Sequence, residues 1–379
     1  MHHIYLRKTY QHHYFLYWSI LLISVISSVY TKTYYILSLN AGVFAFFIYY
    51  RFNYKLIMLY VLSGIVIGLC THYLASTFTY QRWMNLVNEY NQQSLKNKIV
   101  NLVNKNIKDE QTLVFCKLLV FNIKTPNVFL DSLYNLNVAH LFVVSGLHLS
   151  LTHRLIQKIH HRQINQTLQT LYFSLIVFYA YLLDFNPGIL RVIINGFINF
   201  VYKYFCTKNK LTPLNKLGLN CCINIILCLT HATSYTLYFS YGVLLIWHTC
   251  QLWLNPKEKL FNFLCLNFLT FVGSSLIAGT IIPRINSLGL IYAQVFALPI
   301  LCLHQILCWL VFIPHAWIFF YHVIQVIYSS IYYINQIDTL IIFIEQAQTS
   351  FKILTITFFI FFVIMAKKQK KSSFLPNKA

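Results

Sequence analysis

Charge is what this chain has least of. Only 10% of its 379 residues are Asp, Glu, Lys or Arg, against 58% hydrophobic and 17% aromatic. A water-soluble globule typically carries charge on about a quarter of its residues, so that class is excluded. Other absences narrow the reading further. The ten cysteines contain no Cys-x-x-Cys and are scattered through apolar segments, which reads as small buried hydrophobes rather than a disulfide framework or a metal site. No His-x-His-x-Asp-His run occurs, so a dinuclear metal nuclease is not expected. There is no internal repeat and no Pro/Gly/Ser-rich linker. The first apolar segment lacks a small-residue cleavage site and is expected to stay as an anchor.

What is present is apolar length. A hydrocarbon core of about 30 Å takes roughly 20 helical residues. Twelve segments fit, at 14–30, 34–50, 55–75, 129–152, 168–184, 187–206, 214–231, 235–254, 260–281, 288–312, 315–334 and 351–365. The expected fold is all-α, a polytopic transmembrane helical bundle of about 12 spans with one surface amphipathic helix. Basic loops resist translocation. With the N terminus inside, eighteen of the 29 Lys and Arg fall on the cytoplasmic side, including the tail Lys367-Lys-Gln-Lys-Lys371. Both termini are therefore expected in the cytoplasm, and the net charge of +21 is mostly topology at a membrane surface.

The chain divides into N-terminal transmembrane helices (1–75), an amphipathic external segment (76–125), a transmembrane core (126–312) and C-terminal helices with a basic tail (313–379). In the second part Trp83, Leu86, Val87, Tyr90, Leu95, Ile99, Leu102, Val103 and Ile107 recur mostly at three- and four-residue steps, with Lys, Asn, Gln and Glu between them. That is the pattern of a helix with one apolar face, suited to the outer membrane surface or to covering the bundle.

The most specific feature is the run His140-Leu-Phe-Val-Val-Ser145-Gly146-Leu-His148-Leu149, which puts two imidazoles, a hydroxyl and a glycine into an apolar stretch. Such residues belong where they face protein, water or a substrate. If 131–152 is one helix, about 100° per residue sets Asn137, Ser145, His148 and Thr152 within an arc of about 80°, with His140 some 60° further round. Gly146 then permits close approach of a neighbouring helix or a break, and a hairpin folded at Ser145-Gly146 is the alternative. Two later segments carry polar stripes. After Asn186-Pro187-Gly188 come Arg191, Asn195, Asn199 and Lys203, and the next segment repeats the spacing with Lys216, Asn220, Asn224 and Cys228. An arginine within a span costs about 2.5–3.5 kcal/mol unless it finds water or a partner. Asp184 lies seven residues away, so the alternatives are an Arg191–Asp184 clamp with amides as interhelical glue, or a water-filled polar path.

These residues carry a family resemblance. The run from His140 to His148 resembles the competence-domain signature of the ComEC family. Tyr179–Val192, ending Asn-Pro-Gly-Ile-Leu-Arg-Val, is similar to that family's Ser-Pro-Ser-x-x-Arg-Ala segment. Leu214-Asn-Lys-Leu, Phe239-Ser-Tyr and the stretch from Ala293-Gln294 to Leu298-Pro299 resemble its later segments, in the expected order across about 109–310. Asp184, Gly188, Val192 and Gln294 depart from the family pattern. The segment 71–125 is too short and too helical for the outer OB-fold that many members carry, so what is present resembles the membrane competence core alone.

The resemblance implies a channel subunit passing single-stranded DNA, not an enzyme, without cofactor or metal. It implies a cytoplasmic motor, an external DNA receptor and the bilayer as partners, with a homo-oligomer possible. His140, Ser145, Gly146 and His148 would form the core of the path, with Arg191, Asn195 and Asn199 facing phosphate. Two other classes stay open: a transporter of a small molecule or lipid-linked substrate, and an intramembrane serine hydrolase built on Ser145.

Overall fold

The computed structural model describes residues 14–31, 37–49, 54–76, 95–142, 166–205, 211–227, 234–254, 258–280, 284–311, 313, 315–338, 341–343 and 348–365. In chain order its elements are α1 (Tyr14–Thr31), α2 (Leu37–Tyr49), α3 (Tyr54–Ser76), α4 (Leu95–Asn106), α5 (Glu110–Phe121), α6 (Val128–Asn135) and α7 (Ala139–Phe142). There follow α8 (Gln166–Leu182), α9 (Pro187–Phe205), α10 (Pro213–Leu227), α11 (Tyr235–Trp253), α12 (Lys259–Gly279), β1 (Arg284–Asn286), α13 (Gly289–Leu310), α14 (Ile318–Ile337), β2 (Ile341–Phe343) and α15 (Gln348–Met365). The all-α expectation holds apart from β1 and β2. These pair antiparallel with Arg284 opposite Phe343 and Asn286 opposite Ile341.

Among the described residues three helices are long and apolar enough to cross a membrane, at Tyr14–Thr31, Leu260–Gly279 and Gly289–Cys308. Leu39–Ile48, Ile57–Tyr73, Pro187–Tyr202 and Thr349–Met365 are shorter apolar helices. Several starts are legible in the sequence. Pro187 and Pro213 stand at the first helical position, where the missing N–H costs nothing. Thr212 Oγ1 then accepts from Asn215 N at 3.3 Å to close the first turn of α10.

The chain folds as two compact units that interleave in sequence. Unit 1 comprises Met1–Ser76, Ile194–Thr280 and Thr349–Ala379; unit 2 comprises Thr77–Ile193 and Ile281–Gln348. In unit 1, α1 lies along α10 and buries Leu16, Tyr17 and Ile20 in one cluster with Leu214, Leu217, Cys221 and Ile225. Gly218 makes the approach possible, because a Cβ there would sit 2.3 Å from Leu16 N. Backbone meets backbone at that point, the close packing that small residues allow between membrane helices. Polar side chains in these apolar helices find one another. Asn40 donates to Ser24 and accepts from Tyr60 Oη at 2.9 Å.

The core of unit 2 is aromatic. Phe115, Phe129 and Phe142 meet with ring centroids 5.6–5.9 Å apart, and Phe129 stacks on Tyr328 at 4.3 Å. α4 is amphipathic as its spacing predicts, with Val103 buried while Lys98, Asn101 and Lys105 are exposed. A bend at 107–109 follows. Asp109 caps α5, accepting from Thr112 N at 2.8 Å and from Thr112 Oγ1 at 2.6 Å. The amphipathic pattern therefore stops at the bend, and α5 is a core helix with Phe115, Cys116 and Leu119 fully buried.

One expectation is corrected. The segment 129–152 is not a single helix, because α6 ends at Asn135 and Asn137 is left-handed at φ 56°. Val138 N donates to Leu133 O at 3.0 Å and Asn137 N to Tyr134 O at 3.1 Å, while Val138 and Leu133 are both buried. This is the Schellman termination, and asparagine, which tolerates the left-handed region, occupies the position that requires it. An arc that begins at Asn137 is therefore broken there, and its other members Ser145 and His148 lie outside the described residues.

Candidate functional site

Beyond the stop at Asn137 the chain restarts as the four-residue α7, which seats Phe142 in the aromatic core and leaves His140 exposed. Ser145, Gly146 and His148 lie outside the described residues.

The second polar element is built by the α8–α9 turn. α8 ends with Asp184 and Phe185 both left-handed, at φ 53° and 47°, and Phe185 N returns to Ala180 O at 2.8 Å. Asn186 then caps α9, its Oδ1 accepting from Gly188 N at 3.1 Å. The clamp between Asp184 and Arg191 is replaced: the carboxylate of Asp184 pairs with Lys96 of α4. Asp184 stands outside α9 in a reversed turn, open to the end of another helix. Arg191, Asn195 and Asn199 follow at successive turns of α9, Arg191 half-buried and the two asparagines exposed. Asn199 Oδ1 accepts from Lys216 Nζ of α10, so a second cation reaches this stripe. A guanidinium and amides at one-turn intervals present N–H donors to an anionic chain, and each amide also carries an accepting carbonyl.

The companion stripe on α10 does a different job. Tyr241 Oη donates to Asn220 Oδ1 at 2.6 Å and accepts from Asn224 Nδ2 at 3.0 Å, with all three residues buried. These amides join α10 to α11 and are glue, not lining.

Sequence reasoning missed a buried polar network in unit 2. Tyr179 Oη donates to Val120 O at 2.7 Å and lies 3.1 Å from His304 Nε2. Since the hydroxyl hydrogen goes to Val120, proton counting makes Nε2–H the donor to Tyr179. Nδ1 then accepts from Gln305 Nε2 at 3.3 Å. Cys308 Sγ completes the set at 3.5 Å from Tyr179 Oη. Tyr179 and His304, whose two ring nitrogens are both engaged, tie α5, α8 and α13 together. Arg284 bonding Asn135, and Asn286 donating to Asp338 at 2.6 Å, fix the strand pair to its neighbours. The signal that would have found His304 is the same one that singled out Arg191, an ionisable residue inside an apolar segment.

Among the described residues no three His, Cys, Asp or Glu side chains converge on a metal-sized site. Cys116, Cys221, Cys222 and Cys250 are buried as expected, while Cys70 and Cys302 are exposed on apolar helices. Burial pushes the Cys116 thiol up to about 12, which keeps it protonated and unreactive.

A family model described as Competence protein matches residues 124–371. The uncharacterized protein MG316 of Mycoplasma genitalium is 27% identical over 227 residues, 57% of this chain and 56% of that protein. The chain thus spans about half the length of this curated relative. No solved structure matches it.

Proposed function

The chain belongs to the competence protein family, and from that premise we propose that it is a membrane channel subunit passing single-stranded DNA into the cytoplasm during natural transformation. In this reading it crosses the membrane about twelve times with both termini cytoplasmic, and α4 lies on the external surface. It is a conduit rather than a catalyst. A cytoplasmic motor drives the strand, an external receptor delivers it, and copies of the chain can assemble around it. His140, Ser145, Gly146 and His148 form the heart of the path, and Arg191, Asn195 and Asn199 meet phosphate.

The observation that supports this most is the stripe on α9. In a chain with 10% charged residues, a half-buried arginine is followed at one-turn steps by two exposed asparagines. Donors of this kind at one-turn spacing suit a passing polyanion.

The test is uptake of a labelled DNA strand by cells carrying Arg191→Gln or Arg191→Lys. The glutamine variant should accumulate to near the wild-type level yet lose uptake, and lysine should restore part of it because the charge is kept. Normal uptake by Arg191→Gln at normal protein level removes Arg191 from the path. Accumulation of a labelled solute in place of DNA would favour a transporter, and labelling of Ser145 by a fluorophosphonate would favour a hydrolase.

A further inference from the structure

α4 places one of its lysines on its apolar side. At about 100° per residue, Lys96 falls within about 20° of the fully buried Val103, whereas Lys98 and Lys105 lie on the opposite side and are exposed. An amphipathic helix keeps an ammonium off that side unless the charge finds a partner there. The partner is the carboxylate of Asp184, 88 residues further on, in the α8–α9 turn.

The pair is lopsided. The side chain of Lys96 is 17% exposed and that of Asp184 62%, so the cation is walled in and the carboxylate covers it from the open side. The turn that carries the carboxylate is fixed by its own backbone, with Asp184 N donating to Tyr181 O at 3.1 Å and Phe185 N to Ala180 O at 2.8 Å. Asp184 can therefore let go of Lys96 without the turn unravelling. An ion pair with one partner open to water contributes little and is screened by salt, so another anion can take the carboxylate's place.

Position selects that anion. Lys96, Asp184 and Arg191 all belong to unit 2, and Arg191 is the fifth residue of the helix that leaves this turn. In the twelve-span reading α4 and the α8–α9 turn are both external, and α9 runs from there toward the cytoplasm. A strand entering along Arg191 passes the turn that covers Lys96. Its phosphodiesters each carry one negative charge and accept charge-assisted hydrogen bonds, as the carboxylate does.

We infer that Lys96 is a phosphate contact at the external entrance of the α9 path, and that Asp184 occupies it in place of phosphate when no strand is present. The inference rests on the channel reading and adds to it a cation and a competitor. Exchange of one anion for another never leaves Lys96 bare, and it makes the contact one that the strand can leave again.

The experiment uses the full chain in phosphatidylcholine nanodiscs and a fluorescent oligodeoxyadenylate, followed by anisotropy over a salt series. Asp184→Asn should tighten binding roughly five-fold and Lys96→Gln should weaken it roughly five-fold, while Lys96→Arg keeps the charge and stays within about two-fold of wild type. The slope of log affinity against log salt should be shallower in Lys96→Gln than in Asp184→Asn by about 0.7, one phosphate contact. Formaldehyde should link Lys96 to the strand, and more of it in Asp184→Asn than in wild type. A clip that only fastens α4 to the turn predicts instead that both variants lose stability together and shift binding in the same direction. That result, equal slopes, or no link at Lys96, with Arg191→Gln still weakening binding, overturns this inference and leaves the channel reading standing. Should Lys96→Gln fail to accumulate, the affinity of Asp184→Asn and the crosslink decide by themselves. Failure of the wild-type chain to bind any oligonucleotide overturns both.

Discussion

Replacing Gly218 by alanine should loosen unit 1, because backbone occupies the space the methyl would need. The added methyl would stand 2.3 Å from Leu16 N and 2.4 Å from the Phe15 carbonyl carbon. Ordinary contact begins near 3.4–4 Å, so α1 must retreat by about 1 Å, and no side-chain rotation relieves a clash with backbone. Overpacking of this kind costs typically 1–3 kcal/mol, and an unyielding neighbour puts it at the upper end, about 3. Against that, Ala for Gly inside a helix contributes about 1 kcal/mol of propensity. The net is about 2 kcal/mol, a roughly 30-fold fall in the folded-to-unfolded ratio. Gly68→Ala is the control, since its Cβ would meet only Val25 Cγ1 at 3.4 Å. It should gain up to about 1 kcal/mol, so the two variants should separate by about 3 kcal/mol. Denaturant titration of both in the same detergent measures the gap. Equal midpoints for Gly218→Ala and wild type would refute the claim that α1 and α10 touch along their backbones.

Three further outcomes follow from other parts of the fold. Tyr241→Phe strips the hydroxyl shared by Asn220 and Asn224 and should cost about 1–3 kcal/mol, with Asn220→Leu in the same chain recovering part of it; a stability change too small to measure would show the amides are satisfied elsewhere. Asn137→Gly should fold as well as wild type, whereas Asn137→Val should lose at least about 1–2 kcal/mol and become more sensitive to protease between α6 and α7. A reporter fused after Lys371 should report cytoplasm and one inserted near Asn91 the outside; both on one side would sink the twelve-span topology.

Most helices were legible because apolar length and Pro or Asx starts are local signals. The 166–182, 187–205 and 213–227 helices sit close to where the apolar runs and prolines put them. The break at Asn137 was hidden because hydropathy averages over an asparagine that the backbone uses as a stop. The pairing of Asp184 with Lys96, 88 residues away, was out of reach of any local rule, and the nearer Arg191 was the natural but wrong partner. The two stripes looked alike in sequence because both repeat every four residues. Their difference lies in Tyr241, a hydroxyl on a third segment that converts Asn220 and Asn224 into a joint and has no counterpart at Asn195.

The order of the units along the chain sets an order of assembly. α1 leaves the ribosome about 200 residues before α10, which at about 5–20 residues per second is on the order of 10–40 s. Throughout that wait Tyr17 can pack on Phe46 and Phe47 of α2, but the strip of α1 that meets Gly218 still lacks its partner. Completion comes later still, because Gly42 packs against Ile360 and Gly242 against Phe359, both on α15. Unit 2 is spelled in the intervening text, so it can close while unit 1 is still open. Helices made early are thus locked late, and the bilayer must serve as temporary partner for their open strips until α10 and α15 arrive.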